Sequence, residues 1–126
     1  MPRILIVDDA PPILMLLSKL LTGEGYEVGE AKNGAEAVKL LQTESFDLMI
    51  SDINMRPVNG VELLRKTRKS YPEMGVIMLT AYESMFTSDQ ATENGAFAYI
   101  VKPFKSAKLL ETVRQGLEKY GTAEKK

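Results

Sequence analysis

Five side chains that can take part in catalysis or metal binding each follow an apolar segment of this sequence. They are Asp8, Asp9, Asp52, Thr80 and Lys102. Short apolar runs are typical of buried parallel strands, whose carboxyl ends meet at the edge of an open α/β sheet where ligands bind. The sequence therefore predicts that three carboxylates, one hydroxyl and one ammonium converge at one edge of a sheet.

These five side chains offer carboxylate and hydroxyl oxygens as ligands, together with one ammonium group. Three neighbouring carboxylates repel one another, and a divalent cation relieves that repulsion. The chain has no histidine and no cysteine, so a hard cation such as Mg²⁺ is favoured. Mg²⁺ commonly also binds a phosphate oxygen, and an ammonium suits a further one. The set predicts a Mg²⁺-dependent phosphoryl site with a carboxylate available as nucleophile.

Each of these residues also has an ordinary structural explanation when it is taken alone. An Asp pair before a helix is often an N-cap, and a single Asp after a strand is often a turn residue. Threonine favours strands, and Lys-Pro is common in turns. The joint placement of all five at strand ends favours the functional interpretation, because unrelated residues would be scattered over both edges.

The composition excludes several other classes of site. Without histidine and cysteine, Ser-His-Asp catalysis, histidine-bound zinc, thiolate metal sites and disulfides are ruled out. A net charge of −1 over 126 residues gives no indication of a nucleic-acid or acidic membrane surface. The length suits a single domain. No segment is apolar for long enough to span a membrane and no signal peptide is visible, so a cytoplasmic location is expected.

Five predicted strands alternate with five predicted helices. The strands cover residues 3–7, 26–31, 46–52, 75–80 and 96–101. This alternation predicts a parallel sheet with helices on both faces and right-handed crossovers.

The helix predictions come from apolar spacing and end signals. Pro11-Pro12 open the first helix, and Gly23 and Gly25 end it. Its predicted inward stripe is Ile13, Leu16, Leu17, Leu20 and Leu21. The second helix follows a capping-box pattern, Asn33 with Glu36, and buries Ala37, Val38 and Leu41. The third starts near Asn59 and turns Val61, Leu64 and the stem of Arg68 inward, with an otherwise solvated basic face. The fourth, Ser84–Asn94, is poor in apolar residues. The fifth carries Leu109, Leu110, Val113 and Leu117.

The chain resembles the receiver domain of bacterial two-component response regulators. The residues that carry the resemblance are Val7-Asp8-Asp9, Ser51-Asp52-Ile53-Asn54-Met55, Asn59-Gly60, Leu79-Thr80-Ala81, Gly95-Ala96, Tyr99 and Lys102-Pro103-Phe104. The resemblance implies a flavodoxin-like (βα)5 sandwich, a three-layer α/β fold whose five-stranded parallel sheet has the order 2-1-3-4-5. It implies a receiver domain over residues 1–121 and a polar tail over 122–126.

The resemblance also assigns roles to residues. Asp52 would accept a phosphoryl group from a histidine kinase or phosphotransfer protein. Asp9, Asp52 and the Asn54 backbone carbonyl would bind Mg²⁺ directly, and Asp8 would act through water. Lys102 and Thr80 would contact phosphoryl oxygens, and the Lys102–Pro103 bond would be cis.

Further implied roles concern timing and output. Thr80 and Tyr99 would form a switch, and Asn54 and Tyr82 would tune hydrolysis. The chain would promote its own phosphorylation and slow dephosphorylation rather than act as an enzyme on other substrates. The face formed by the fourth helix, fifth strand and fifth helix would bind an effector or form a phosphorylation-dependent homodimer, without direct contact to nucleic acid or a membrane.

One departure and three alternatives stay open at this point. Arg56 stands between Met55 and Pro57, where the family usually has proline directly after the methionine, so the loop over Asp52 is expected to differ in shape. The alternatives are a phosphatase similar to haloacid dehalogenases, an FMN carrier and a receiver that only binds. The first of these has Asp-x-Asp after its first strand, whereas here Asp8 and Asp9 are adjacent. The cognate kinase, the output and whether the chain is free-standing cannot be read from the residues.

Overall fold

The computed structural model describes residues 2–52, 60–81 and 88–120, and for Gly60 and Ser88 the backbone alone. Ten elements follow in order: β1 (Arg3–Val7), α1 (Pro11–Gly23), β2 (Glu27–Ala31), α2 (Gly34–Thr43), β3 (Leu48–Asp52), α3 (Gly60–Ser70), β4 (Gly75–Thr80), α4 (Ser88–Glu93), β5 (Ala98–Val101) and α5 (Ser106–Tyr120). The strands form one parallel sheet in the order β2-β1-β3-β4-β5. The predicted (βα)5 fold and strand order are confirmed.

The central strands are apolar throughout because helices cover both faces of the sheet. In β1, Ile4 and Ile6 point to the core shared with α1 and α5, whereas Leu5 and Val7 point to the core on the opposite face. Successive strand side chains alternate between faces, so a strand buried on both sides reads as a continuous apolar run. All five residues of β3 and all six of β4 are buried.

Helix α1 begins at Pro11 as predicted, but the prediction of its inward-facing residues is partly wrong. The buried residues are Leu14, Leu17 and Leu21, which repeat at three- and four-residue spacing. Leu16 was predicted to face inward and is 42% exposed. The helix has more apolar residues than one face can bury. The sequence therefore predicts the helical spacing of the buried residues, but not which face of the helix turns toward the core.

Helix α2 has the predicted capping arrangement with a small variation. Asn33 Oδ1 accepts a hydrogen bond from the Glu36 N–H at 2.8 Å. The Glu36 carboxylate accepts from the backbone N–H of Lys32, one residue before the cap, also at 2.8 Å. Two N–H groups at the start of the helix are thereby satisfied by side chains. Ala37 and Leu41 are buried as predicted, whereas Val38, which was also predicted to be buried, is half-buried.

The remaining elements differ from the predictions mainly at their ends. Strand β2 begins at Glu27 rather than Tyr26, and β5 at Ala98 rather than Ala96. Helix α4 covers Ser88–Glu93 within the predicted Ser84–Asn94, and residues 84–87 lie outside the described ranges, as does Asn59. Gly95 ends α4 with a φ of +96°, and the Lys102–Pro103 peptide bond is cis, both as predicted.

Helices α3 and α5 bury their predicted apolar faces. In α3 the buried leucines are Leu64 and also Leu63, which the spacing argument omitted, whereas Val61 is half-buried. In α5 Leu109, Val113 and Leu117 are buried, whereas Leu110 is half-buried. Within the described ranges, no helix is both long enough and apolar enough to cross a bilayer.

Candidate functional site

The parallel topology brings the predicted residues to the carboxyl edge of the sheet. Asp8 follows β1, Asp52 ends β3, Thr80 ends β4 and Lys102 follows β5. Two backbone hydrogen bonds extend the ladder past the strand ends, from the Asp8 N–H to the Ala31 carbonyl at 3.1 Å and from the Lys102 N–H to the Thr80 carbonyl at 2.6 Å. The prediction that these residues share one edge is confirmed.

Lys102 is the cation at the centre of this edge. Its Nζ lies 3.0 Å from Asp8 Oδ2 and 3.4 Å from Asp52 Oδ1. Asp8 and Asp52 are buried, with 1% and 6% of their surface exposed. The other Asp8 oxygen, Oδ1, accepts from the Ala10 N–H at 2.9 Å. Asp8 is thus held by two partners, whereas the contact between Lys102 and Asp52 is long for a hydrogen bond.

The three carboxylates are close enough to share one ion. Asp8, Asp9 and Asp52 each offer an oxygen atom, and these oxygens lie within 4.8 Å of one another. Asp9 is exposed, so the cluster opens to solvent on its side. Among the residues that the structure describes, three carboxylates against one ammonium leave an excess of negative charge, and the ligand atoms are all hard oxygens. The residues present therefore fit Mg²⁺.

The electrostatic environment of Asp52 also favours the binding of a cation. Burial raises the pKa of the Asp52 carboxyl above its ordinary value, and the charges of Asp8 and Asp9 raise it further. Lys102 works against this by favouring the ionised form, but the pKa stays raised. The described residues therefore compensate the charge of ionised Asp52 incompletely, and an added divalent cation would stabilise it.

Thr80 and Tyr99 lie on the same face of the sheet. Tyr99 pairs in register with Met78, two residues before Thr80. Side chains two apart on a strand point the same way, and register partners share a face. Thr80 is fully buried, and Tyr99 is half-buried against the core that contains Met78. Thr80 and Tyr99 therefore share one face of the sheet, and their switch role stays a prediction.

Some predicted site residues lie outside the described ranges. These are Asn54, Arg56, Pro57 and Tyr82, so their predicted roles are not tested by the geometry. One residue that the chemical argument passed over is Ser51. It is fully buried, and its hydroxyl donates to the Asp52 backbone carbonyl at 3.1 Å. The available signal was a single hydroxyl within an otherwise apolar strand.

The sequence matches the family model described as the response regulator receiver domain over residues 4–114. It is 39% identical over 121 residues to the transcriptional regulatory protein GlrR of Escherichia coli strain K12. That alignment covers 96% of this chain but 27% of GlrR. The chain thus spans about a quarter of the length of the curated relatives it matches.

Solved structures give the same similarity in three dimensions. A CheY-like response regulator receiver domain protein from Methanospirillum hungatei JF-1 superposes with a TM-score of 0.91 at 38% identity, covering 98% of each chain. The response regulator protein TrrA from Thermotoga maritima, whose crystal structure contains Mg²⁺ and BeF, superposes with a TM-score of 0.85 at 42% identity. That match covers 93% of this chain and 100% of TrrA.

Proposed function

Because this chain belongs to the response regulator receiver domain family, we propose that Asp52 is the residue that accepts a phosphoryl group in a two-component pathway. The observation that carries the proposal is the position of Asp52 at the end of the central strand β3. There it lies 3.4 Å from the Lys102 ammonium and within 4.8 Å of two more carboxylates. A buried carboxylate beside a cation and a metal-binding cluster suits nucleophilic attack on phosphorus.

The proposed step is an in-line transfer to Asp52. One oxygen of the Asp52 carboxylate forms a bond to the phosphorus of the donor, while the bond from phosphorus to the leaving nitrogen or oxygen of the donor breaks. The bonding electron pair leaves with the donor, and Asp52 becomes an acyl phosphate. Lys102, beside Asp52 Oδ1, is positioned to contact a phosphoryl oxygen, and we assign the same role to the Thr80 hydroxyl.

We assign Mg²⁺ binding to the exposed side of the cluster. Asp9 and Asp52 would bind the ion directly with the Asn54 backbone carbonyl, and Asp8 would act through water. Asp8 already bonds to Lys102 and to the Ala10 N–H, which supports the indirect role. When bound, Mg²⁺ would neutralise carboxylate charge and bind a phosphoryl oxygen.

The partner that supplies the phosphoryl group would be a histidine kinase or phosphotransfer protein. The open side of the cluster, at Asp9, adjoins a groove of about 610 Å³ beside α1. Met15 lines that groove with 70% of its surface exposed. The next residue in the chain, Leu16, does not line the groove but is 42% exposed. Exposed apolar residues next to the acceptor site support docking of a protein surface there.

The response to phosphorylation would be a shift of Thr80, Tyr99 and α4. The Thr80 hydroxyl would donate to the phosphoryl group, and Tyr99 would turn into the space behind it. The face formed by α4, β5 and α5 would then bind an effector or a second copy. Such a ligand biases an equilibrium between two existing states.

Several further roles belong to the same proposal. Asn54 and Tyr82 would tune hydrolysis of the acyl phosphate. The chain would promote its own phosphorylation and slow dephosphorylation in the cytoplasm, rather than turn over an external substrate. The receiver domain would cover residues 1–121, with a polar tail from 122.

Incubation with a small acyl phosphate and Mg²⁺, followed by intact mass measurement, tests the assignment of Asp52. The wild-type chain should gain one phosphoryl group, and Asp52→Asn should gain none. Asp47→Asn is a matched control, because Asp47 precedes the same strand at its opposite end and accepts a hydrogen bond from the Arg3 N–H. Labelling of Asp52→Asn at the wild-type rate would overturn the assignment.

A further inference from the structure

The carboxyl end of α4 is bonded to α3 through Asn94. The Arg65 Nε donates to Asn94 Oδ1 at 2.8 Å. The Asn94 side-chain amide in turn donates to the Gln90 carbonyl at 2.8 Å, and the Asn94 backbone N–H donates to the same carbonyl at 3.1 Å. Asn94 therefore closes the last turn of α4 and ties it to the neighbouring helix.

Arg68 makes a second attachment at the next residue, Gly95. A Cβ atom on Gly95 would lie 3.0 Å from Arg68 Cγ and 3.1 Å from Arg68 Nε, so the arginine stem lies directly over the glycine backbone. The Arg68 Nη1 donates to the carbonyls of Pro72 and Met74 at 3.1 and 2.7 Å. These two bonds fix the stem, and the absence of a Cβ atom on Gly95 allows the close approach.

The backbone after α4 is joined to the sheet. The Ala96 N–H donates to the Ala91 carbonyl at 2.9 Å, and the Phe97 N–H donates to the Val76 carbonyl of β4 at 2.7 Å. Ala91 is fully buried and Ala96 is 9% exposed. The carboxyl end of α4 is therefore held by α3, by β4 and by the core.

The amino half of α4 is more exposed to solvent than the segment that follows the helix. Asp89 and Gln90 are exposed, and Ala91 is the one buried side chain among those described in α4. A six-residue helix that buries a single alanine gains little from packing. Thr92 and Glu93 are exposed as well, so the attachments described above lie at Ala91 and after Glu93. Rearrangement should therefore cost least at the amino end.

We propose that Arg65 and Arg68 make the carboxyl end of α4 a fixed pivot, about which its amino end swings when Asp52 is phosphorylated. This proposal rests on the phosphoacceptor function assigned above. Two arginines at a helix carboxyl end are also favoured by the helix dipole. Pivoting at an element terminus is a common way for a packed element to change position.

The pivot also extends to the end of α5. The Arg68 guanidinium lies over the Tyr120 ring at 5.7 Å from its centroid. The Tyr120 ring packs against Gly75 at the start of β4 and makes an edge-to-face contact with Phe97 at 6.0 Å. The carboxyl ends of α4 and α5 thus share one anchor, so the end of α5 should stay in place while α4 swings.

Amide hydrogen exchange with Mg²⁺ alone and with Mg²⁺ plus beryllofluoride tests the pivot. Beryllofluoride mimics a phosphoryl group, and chemical shifts of the Asp8 and Asp52 amides report its uptake. At full uptake, exchange over residues 88–90 should change by about tenfold or more, and at Gly95, Ala96 and Phe97 by less than about twofold. An equal change at both ends, or none over residues 88–90, would overturn the pivot alone. Failure of Asp52 to take up beryllofluoride would overturn the proposed function, and the pivot with it.

Variants of α3 separate the anchor from general packing. In Arg68→Met, the change in amide exchange caused by beryllofluoride should spread to Gly95–Phe97. Arg68→Lys keeps most of the stem and the charge, so it should partly restore the wild-type pattern. Lys69→Met makes the same charge change at an exposed neighbour and should leave the pattern unchanged. Arg65→Gln removes the exposed bond to Asn94 and tests the anchor even if Arg68→Met fails to fold. An unchanged response in both Arg65→Gln and folded Arg68→Met, or spreading in Lys69→Met, would refute the proposal.

Discussion

Two clusters of charge lie at opposite edges of the same sheet and are built from similar residues. At the amino edge, the Arg3 guanidinium contacts Glu27 at 3.2 Å, Glu44 at 2.5 Å and the Ser45 carbonyl at 2.9 Å. At the carboxyl edge, the Lys102 ammonium contacts Asp8 at 3.0 Å and Asp52 at 3.4 Å. Each cluster thus places two carboxylates on one cation.

The two clusters differ in solvent exposure and in how well their charges are balanced. The side chains of Arg3, Glu27 and Glu44 are 34, 54 and 39% exposed, whereas those of Lys102, Asp8 and Asp52 are 17, 1 and 7% exposed. The hydrogen bond to Glu44 helps to raise the pKa of Arg3, which favours its charged form. Burial raises the pKa of Asp52, which penalises its charged form. The presence of ion pairs therefore does not by itself identify a functional site. A buried charge that its neighbours compensate incompletely is the better indicator.

The largest expected difference between the clusters is the effect of removing the cation. Lys102→Met leaves Asp8 and Asp52 buried without an ammonium, so the free energy of unfolding at pH 7 without metal should fall by about 3 kcal/mol. Chemical denaturation measures it. Added Mg²⁺ should restore part of the loss, because the ion replaces the missing charge. A loss no larger than that of Arg3→Met would erase the distinction between the two edges.

The next difference concerns metal affinity. Asp9→Ala should weaken Mg²⁺ binding by about tenfold or more, and Asp8→Ala by less, because Asp9 is assigned to direct coordination. Glu44→Ala, at the amino edge, should leave the affinity unchanged. Titration calorimetry or the Mg²⁺-dependent rise in melting temperature gives the comparison. Equal effects of Asp8→Ala and Asp9→Ala would count against the assigned ligand set.

A pH series on metal-free protein sharpens the contrast at Asp52. Because its pKa is raised in the folded state, the folded protein binds this proton more tightly than the unfolded chain does. Wild-type stability should therefore fall as pH rises from the ordinary Asp pKa through the raised value. Asp52→Asn lacks this penalty, so it should be more stable by about 1 kcal/mol at pH 7. The gain should vanish at pH below about 3.9. A pH-independent difference would contradict the electrostatic explanation.

The smallest effect is expected at the amino edge. Arg3→Met removes two exposed ion pairs and the contact of the guanidinium with the Phe46 ring, 4.7 Å from its centroid. Such surface interactions contribute little, so the loss of stability should be at most about 1 kcal/mol. Mg²⁺ affinity and phosphorylation should match wild type. A change in either would mean that the two edges are coupled through the sheet.

The sequence predicted most of the carboxyl edge, because strand ends are marked by local changes in residue type. Asp8, Asp52 and Lys102 each follow an apolar run, and a parallel sheet brings such positions together. The burial of Leu14 rather than Leu16 could not be predicted, because both fit a helical repeat and tertiary packing selects the rotation.

The attachments of α3 were missed for a different physical reason. Arg65 and Arg68 belong to a basic stretch that reads as a solvated face, and only the inward stem of Arg68 was foreseen. Their partners, Asn94 and Gly95, lie about 30 residues away in sequence and become neighbours only when α4 returns to the sheet. The hydrogen bond of Ser51 was not predicted, because a small hydroxyl within an apolar strand gives no indication of which atom it bonds to.

The packing of both described chain ends at the amino edge affects how the molecule can be attached to something else. The Arg3 N–H bonds to Asp47, whose carbonyl accepts from the Gly75 N–H, and Tyr120 packs on Gly75. A five-residue strand spans roughly 17 Å, and that length separates this edge from Asp8 and Asp52. A label attached at Arg3 or at Tyr120 would therefore lie on the opposite side. A copy immobilised through either residue would keep its acidic edge facing the solution.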